Sequence, residues 1–108
     1  MLNVDRALDA LGDPTRRLVF KRLRNGSCAV GELAKRMDVS RPAVSQHLKV
    51  LKEAGLVVVH VKGTKRLYEI DATAISALRS WLDELWENSL NAFKRAAEQE
   101  AAKRRNVK

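Results

Sequence analysis

The sequence predicts a mainly helical fold with a small β-hairpin, in the order helix, helix, helix, helix, strand, strand, helix. Three observations lead to this prediction. Four segments carry apolar residues at helical spacing, each bounded by a capping residue or a glycine. A β-branched segment then turns at Gly63 and Thr64 and returns. A last segment keeps helical spacing as far as Glu100.

The first two predicted helices are short. An apolar repeat begins at Val4 and stops at Gly12, which can take the left-handed conformation that ends many helices. Asp13 and Pro14 then have the residue types of an N-cap and a first helical turn. The second helix is predicted to stop at Gly26.

The next two helices are separated by a link of three residues. Apolar residues at helical spacing predict a third helix over residues 30–37, and Asp38 is expected to break it. Ser40 has the residue type of an N-cap for a fourth helix over residues 41–54, which Gly55 would end. These proportions are those of a helix-turn-helix, whose second helix enters the DNA major groove.

The hairpin comprises residues 56–62 and 65–70. Lys62, Lys65 and Arg66 surround its turn, so the turn can reach a neighbouring groove or the DNA backbone as a wing. The alternative is a charged turn that only maintains solubility. With the wing, the predicted fold is a winged helix-turn-helix.

Positive charge is concentrated in the middle of the chain. The net charge is +8. Residues 41–66 contain six basic residues and one acidic residue, whereas residues 67–102 contain three basic and seven acidic residues. The region of the fourth helix and the hairpin is therefore suited to a polyanion.

The fourth helix has a polar face opposite its apolar face. Geometry allows Gln46 to pair with adenine, Arg41 to reach guanine or phosphate, and Ser45 to contact several bases. For any one of these side chains taken alone, the alternative to a DNA contact is that it simply lies on a helix surface that faces water. The predicted DNA-binding residues are Ser40, Arg41, Pro42, Ser45, Gln46, Lys49, Lys52, Lys62, Lys65 and Arg66.

The last helix is too long for one small domain to cover, since about 29 residues extend roughly 40 Å. Its apolar side chains suggest pairing with the same helix of a second subunit. The alternative is that its tryptophans only complete the monomer core. We expect residues 1–100 to form one DNA-binding and dimerisation domain and residues 101–108 to form a disordered basic tail. The predicted dimer residues are Leu78, Trp81, Leu82, Leu85, Trp86 and Phe93.

Four segments resemble the ArsR-type repressors. They are DPTRR at residues 13–17, VGELA at 30–34, SRPAVSQHLKVLKEAGLV at 40–57, and GTKRLY of the wing at 63–68. The similarity extends to about Phe93. The resemblance implies a dimeric winged helix-turn-helix repressor that binds an inverted repeat in a promoter, often its own.

Many members of that family bind metals through a cysteine pair in the third helix or through Asp and His in the last helix. Here Ala29 and Gly31 occupy the place of the pair, Cys28 lies just outside its register, and residues 72–108 contain no histidine. We therefore predict no metal site and no cofactor, and no release from DNA by zinc, cadmium or arsenite. A redox role for Cys28 is less favoured than burial as a small apolar residue. His47 is expected to pack or to form a hydrogen bond rather than to bind a metal, and His60 is expected to be an ordinary strand residue.

Other function classes receive less support from the sequence. The chain has no nucleophile and histidine pattern and no glycine-rich phosphate loop, so we do not expect an enzyme. Its first six residues lack the features of a signal peptide, and we expect a cytoplasmic protein. The open alternatives are a protein-interaction winged helix and a ligand- or redox-responsive activator.

Overall fold

The computed structural model describes residues 2–106, which form five α-helices, one short 3-10 helix and three strands. These residues divide between Ala77 and Leu78 into two compact units. The elements are α1 (Val4–Ala10), α2 (Pro14–Arg22), the 3-10 helix (Leu23–Asn25), β1 (Cys28–Ala29), α3 (Val30–Arg36), α4 (Arg41–Glu53), β2 (Val57–Lys62), β3 (Lys65–Ile70) and α5 (Ala72–Asn106).

The predicted N-caps Asp13 and Ser40 are confirmed by side-chain hydrogen bonds. The Asp13 carboxylate accepts a bond of 2.9 Å from the backbone N–H of Arg16. The Ser40 hydroxyl accepts one of 3.3 Å from the backbone N–H of Ala43, and the Asp71 carboxylate caps α5 in the same way. Each bond satisfies a backbone donor that the first helical turn leaves free.

Removal of the α4 cap should destabilise the fold. We expect Ser40→Ala to lower the free energy of unfolding by about 1 kcal/mol, because the first turn of α4 loses its side-chain acceptor. Urea titration at neutral pH measures this change. The matched control is Ser45→Ala, an exposed position inside the same helix, where no loss is expected. Equal losses in the two variants would contradict a capping role.

A left-handed glycine ends α4, as predicted. Gly55 has φ of 81°. Its N–H donates to the carbonyl of Lys52, and the N–H of Leu56 donates to the carbonyl of Leu51, both at 3.0 Å. This is the hydrogen-bond pattern of a Schellman motif, which also brings the buried Leu51 and Leu56 side chains together. The turn directs the chain from α4 into β2.

The predicted left-handed glycine at the end of α1 is wrong. Gly12 is not among the positive-φ residues of the described chain. Instead, two arginines of α2 satisfy the free carbonyls at the end of α1. The Arg16 guanidinium donates to the carbonyl of Ala10 at 3.2 Å, and that of Arg17 donates to Leu11 at 2.9 Å. Because side chains supply these donors, the backbone needs no left-handed residue.

The hairpin is part of a three-stranded antiparallel sheet in the order β1-β3-β2. The predicted hairpin is confirmed, and its two-residue turn has φ of 63° at Gly63, as type II′ turns require at that position. The third strand, β1, was not predicted. It pairs Cys28 with Tyr68 and Ala29 with Leu67. A strand of two residues shows no periodicity from which it could be recognised.

The apolar face of α4 forms the centre of the first unit. Both α2 and α3 pack on α4. Val44, Leu48 and Leu51 of α4 are completely buried, as the predicted apolar face requires. The other large side chains that are almost completely buried are Val19, Leu23, Leu33 and Leu56.

Helix α5 is longer than predicted and makes up the second unit from Leu78 onwards. It continues to Asn106, so residues 101–106 of the expected disordered tail are helical. Alanine, lysine and arginine dominate this segment and favour helix, and Arg104 lies 3.8 Å from Glu100 one turn earlier. Residues 107–108 of that tail lie outside the described residues. Within residues 2–106, no helix is both long and apolar enough to cross a membrane.

Candidate nucleic-acid interface

The outer face of α4 is available to a ligand. Pro42, Ser45, Gln46 and Lys49 are exposed on the side opposite the buried apolar residues. The ends of this face carry Ser40, Arg41 and Lys52, which are exposed as well. Ser40 has a structural role too, because its hydroxyl caps the helix. The face thus offers hydrogen-bonding groups and positive charge, as base edges and phosphates require.

Arg41 lies where α4 approaches α3. A β-carbon placed on Gly31 would lie 3.7 Å from Nη1 of Arg41, at ordinary van der Waals distance. The guanidinium therefore lies next to the bare backbone of Gly31, while the residue as a whole stays exposed. A planar fork of donors in this place can bind guanine or a phosphate in two-pronged fashion.

An open groove of about 830 Å³ runs between α3, α4 and the wing. It brings together three of the predicted basic residues, Arg41, Lys65 and Arg66. Lys35 of α3 also lines it, and Glu32 supplies the one carboxylate among the lining residues. Four cations against one carboxylate favour an anionic ligand. The remaining lining residues are Ala29, Val30, Gly31, Pro42, Ser45, Thr64 and Tyr68.

Lys35 is not among the predicted DNA-binding residues, because the run of basic residues with few acidic neighbours begins only at residue 41. Its signal was its position in the third helix, where an exposed lysine follows two residues after the buried Leu33. Gln46, Lys49, Lys52 and Lys62 of the predicted set are exposed but do not line the groove. The candidate interface is therefore wider than the groove alone.

The two long strands of the wing are linked by side chains as well as by backbone. His60 Nε2 and Glu69 Oε2 lie 2.8 Å apart on the exposed surface. His60 pairs with Leu67 and Val58 pairs with Glu69 in the register, so the two bonded side chains are diagonal neighbours. His60 is thus a strand residue that also ties β2 to β3.

Comparisons with known proteins match the region of the chain that contains α3 and α4 of the candidate interface. The family model of the bacterial regulatory proteins of the arsR family matches residues 13–59, from the start of α2 into β2. The HTH-type transcriptional regulator Rv2034 of Mycobacterium tuberculosis is 54% identical over 89 residues, which cover 82% of this chain and 83% of the relative. The chain belongs to the ArsR family of bacterial regulatory proteins.

Two further comparisons support the assignment of this chain to the ArsR family. The transcriptional repressor SdpR of Bacillus subtilis is 33% identical over 73 residues, covering 68% of this chain and 81% of SdpR. The solution structure of the homodimeric winged helix-turn-helix DNA-binding domain Mb0332 from Mycobacterium bovis has a TM-score of 0.65 at 26% identity and covers 78% of each chain. The chain is therefore a winged helix-turn-helix transcriptional regulator, and the predicted family and fold are confirmed.

Cys28 of this ArsR-family regulator is a buried free thiol. Its Sγ donates to Glu32 Oε2 at 3.6 Å. Burial raises the pKa of the Cys28 thiol, and the hydrogen bond to Glu32 raises it further. The thiol is thus held in its protonated, less reactive form. In residues 2–106 no three His, Cys, Asp or Glu side chains lie together as a metal would require.

His47 lies at the border of the apolar face of α4 and is half-buried. Within residues 2–106, its Nδ1 is buried without a hydrogen-bond partner. The nearby Asp13 has a lowered pKa, mainly because the backbone N–H of Arg16 donates to its carboxylate; His47 and the Arg16 side chain lower it further. The predicted packing position of His47 at the edge of the core is what the structure has.

The predicted dimer residues of α5 differ in exposure. Leu78 is only 8% exposed and Trp81 is half-buried. By contrast, Trp86 is 67% and Phe93 is 70% exposed. About half of the surface of Leu82 and of Leu85 is exposed, and so is 43% of Leu90, which was not in the predicted set.

Proposed function

We propose that this regulator represses transcription as a homodimer that binds an inverted-repeat operator, with one α4 helix in each of two major grooves. The exposed polar face of α4, continued by the basic groove to the wing, is the observation that carries the proposal. The repressor activity of SdpR and the homodimer of Mb0332 support it. Since bacterial DNA lies in the cytoplasm, we propose that location for the protein.

The chemistry of the proposed DNA-binding side chains divides them into those that contact bases and those that contact phosphates. Gln46 can form two hydrogen bonds with adenine, and Arg41 with guanine, so these two are proposed to read bases. Ser45 lies between them on the exposed face and can donate or accept. The phosphate contacts are proposed for Lys49, Lys52, Lys62, Lys65 and Arg66, with Ser40 and Pro42 near the backbone at the start of α4.

Two-fold pairing is what makes such reading selective. One α4 helix contacts only a few base pairs. The many competing sites in a genome would therefore bind most of a protein that used a single α4 helix. A two-fold dimer presents two α4 helices about 34–36 Å apart, the separation of successive major grooves on one face of the duplex. The operator must then be an inverted repeat, because each half-site meets the same protein surface.

The exposed apolar side chains of α5 are the proposed dimer contacts. Leu82, Leu85, Trp86 and Phe93 lie within a single helix that leaves them exposed. A lone helix in water gains most of its stability from covering such a face. We propose that the reading surface of the first unit and the pairing surface of α5 act as one functional domain over residues 1–100.

Operator selection tests the proposal. Genomic fragments retained by the purified protein should share an inverted repeat, and binding should weaken steeply with salt because lysine and arginine displace counterions. The Lys65→Ala/Arg66→Ala variant should lower affinity for all sequences and reduce the salt slope by about 2 per protomer. Arg95→Ala/Arg105→Ala, which removes two exposed cations of α5, is the charge-matched control. Retention of fragments with no shared repeat, or binding that salt does not change, would overturn the proposal.

A further inference from the structure

Another cavity of the first unit shares no residue with the candidate DNA interface. It has a volume of about 490 Å³ and lies where α1, the end of α4 and the start of α5 meet. Sites for small molecules typically enclose roughly 300–1,000 Å³. All residues that line the cavity precede Leu78, so it belongs to one compact unit. The cavity is therefore large enough to hold a small molecule.

Small residues keep this cavity open. Ala54 and Ala74 are almost completely buried and Ala77 is half-buried, and all three line the cavity. Gly55 lines it with bare backbone, and a β-carbon there would lie only 3.3 Å from Cδ1 of Leu2, which lines it too. Protein interiors are otherwise closely packed. These residues give the cavity an apolar floor that the hydrocarbon group of a ligand can cover.

Two side chains of opposite charge line the cavity without an ion pair. Arg6 belongs to α1, Glu53 is the last residue of α4, and both are exposed. Neither forms an ion pair with any side chain of residues 2–106. The Asp71 carboxylate also lines the cavity, and both hydrogen bonds of the α5 cap go to its Oδ1, which leaves Oδ2 for a ligand. A ligand can therefore reach one cation and two carboxylates without breaking an existing ion pair.

We propose that this cavity binds a free α-amino acid with an apolar side chain. The carboxylate of the ligand pairs with the Arg6 guanidinium, and its ammonium group donates to Glu53 and to Oδ2 of Asp71. The side chain of the ligand covers the apolar floor. Charge-assisted hydrogen bonds of this kind are roughly twice as strong as those between neutral groups. The regulator thus has a small-molecule site in addition to its DNA-binding face.

The charges of the cavity favour a zwitterion over other ligands. A simple anion would meet two carboxylates against one guanidinium, and like charges in close contact are unfavourable. A simple cation would bring a second positive charge next to Arg6. A neutral apolar ligand would cover Arg6 and Glu53 without pairing them, and a charged group that loses water without gaining a partner costs free energy. A ligand that carries both charges leaves neither side chain unpaired.

Titration calorimetry of the full chain without DNA tests the proposal. The probes are L-valine, L-leucine, L-methionine and L-phenylalanine, and at least one should bind with one molecule per protomer. The counterparts of that amino acid without its amino group, or without its carboxylate, should each bind at least about 10-fold more weakly, because each lacks one charge-assisted contact. No heat and no rise in unfolding temperature with any probe at millimolar concentration overturns the proposal. Equal binding of either counterpart overturns it as well.

Variants assign the binding to this cavity. Arg6→Gln and Glu53→Gln each remove one charge and keep a polar side chain, and each should weaken amino-acid binding at least about 10-fold. Arg22→Gln and Glu98→Gln change exposed charges outside the cavity and are the matched controls, which should bind as the wild type does. Wild-type affinity in both Arg6→Gln and Glu53→Gln overturns the assignment.

A second copy of this chain is the competing occupant of the cavity. In that case no amino acid binds, and Glu53→Gln raises the dimer dissociation constant instead, a result that overturns the proposal. The calorimetry uses no DNA, so its failure leaves the repressor proposed above intact. Conversely, operator selection that yields no shared repeat overturns the repressor and leaves the amino-acid site intact.

Discussion

We expect the Leu85→Ala/Trp86→Ala variant to sediment as a monomer and to lose at least about 100-fold in affinity for its operator, while weak salt-sensitive binding to any duplex DNA persists. Both side chains are more than half exposed in the single chain. Truncation therefore removes pairing surface without opening a cavity in the first unit. A large anchor at the centre of an interface typically contributes 2 kcal/mol or more.

The control for this variant lies on the side of the same helix opposite Trp86. Glu84→Ala/Arg95→Ala changes two exposed residues about 160–180° away from Trp86, and it should remain a dimer with full operator affinity. Thermal unfolding of both variants checks that the first unit is intact. A Leu85→Ala/Trp86→Ala monomer that still protects a palindromic site as one unit would show that pairing through α5 is not what makes recognition specific.

The second large effect is on base reading. Gln46→Ala and Arg41→Ala should each relax sequence preference at one position of each half-site, by about 1–3 kcal/mol for each two-pronged base contact. The effect should be nearly doubled in the operator, because a two-fold dimer loses the contact twice. Competition between the operator and single-base variants measures the preference at each position.

Lys52→Ala provides the contrast. Its ammonium is exposed at the end of α4 and outside the basic groove, so its loss should weaken all sequences alike and leave the order of preference unchanged. A variant of Lys52 that loses discrimination, or one of Gln46 that keeps it, would reverse these assignments. In that case bases would be read by the C-terminal end of α4.

Much of the helix-turn-helix and the wing could be predicted, because neighbouring residues determine where these elements begin and end. A hydroxyl at Ser40 and a proline at Pro42 start α4, and Gly55 ends it, each through bonds within a few residues. The turn at Gly63 is equally local. Such signals need no knowledge of the remaining fold, and all of these boundaries agree with the structure to within one residue.

The features that were missed depend on distant partners. Strand β1 exists because Cys28 meets Tyr68, forty residues later, and α1 ends at Ala10 because Arg16 reaches back to its carbonyl. Lys35 was overlooked because its role depends on the groove that α3, α4 and the wing form together. The sequence predicts too early an end for α5, because the basic residues of the 101–106 segment are typical of a disordered tail, although alanine, lysine and arginine also favour helix.

The short strand β1 has a mechanical consequence. Ala29 is both the last residue of β1 and the N-cap of α3, so the strand that pairs with the wing and the start of the helix-turn-helix share one residue. The sheet bonds of β1 to β3 then transmit any tilt of the wing directly to α3. In each protomer, the wing and the helix-turn-helix should therefore move together as one rigid body. An effector that releases this regulator from DNA is therefore expected to change the distance between the DNA-binding surfaces of the two protomers, rather than the shape of either surface.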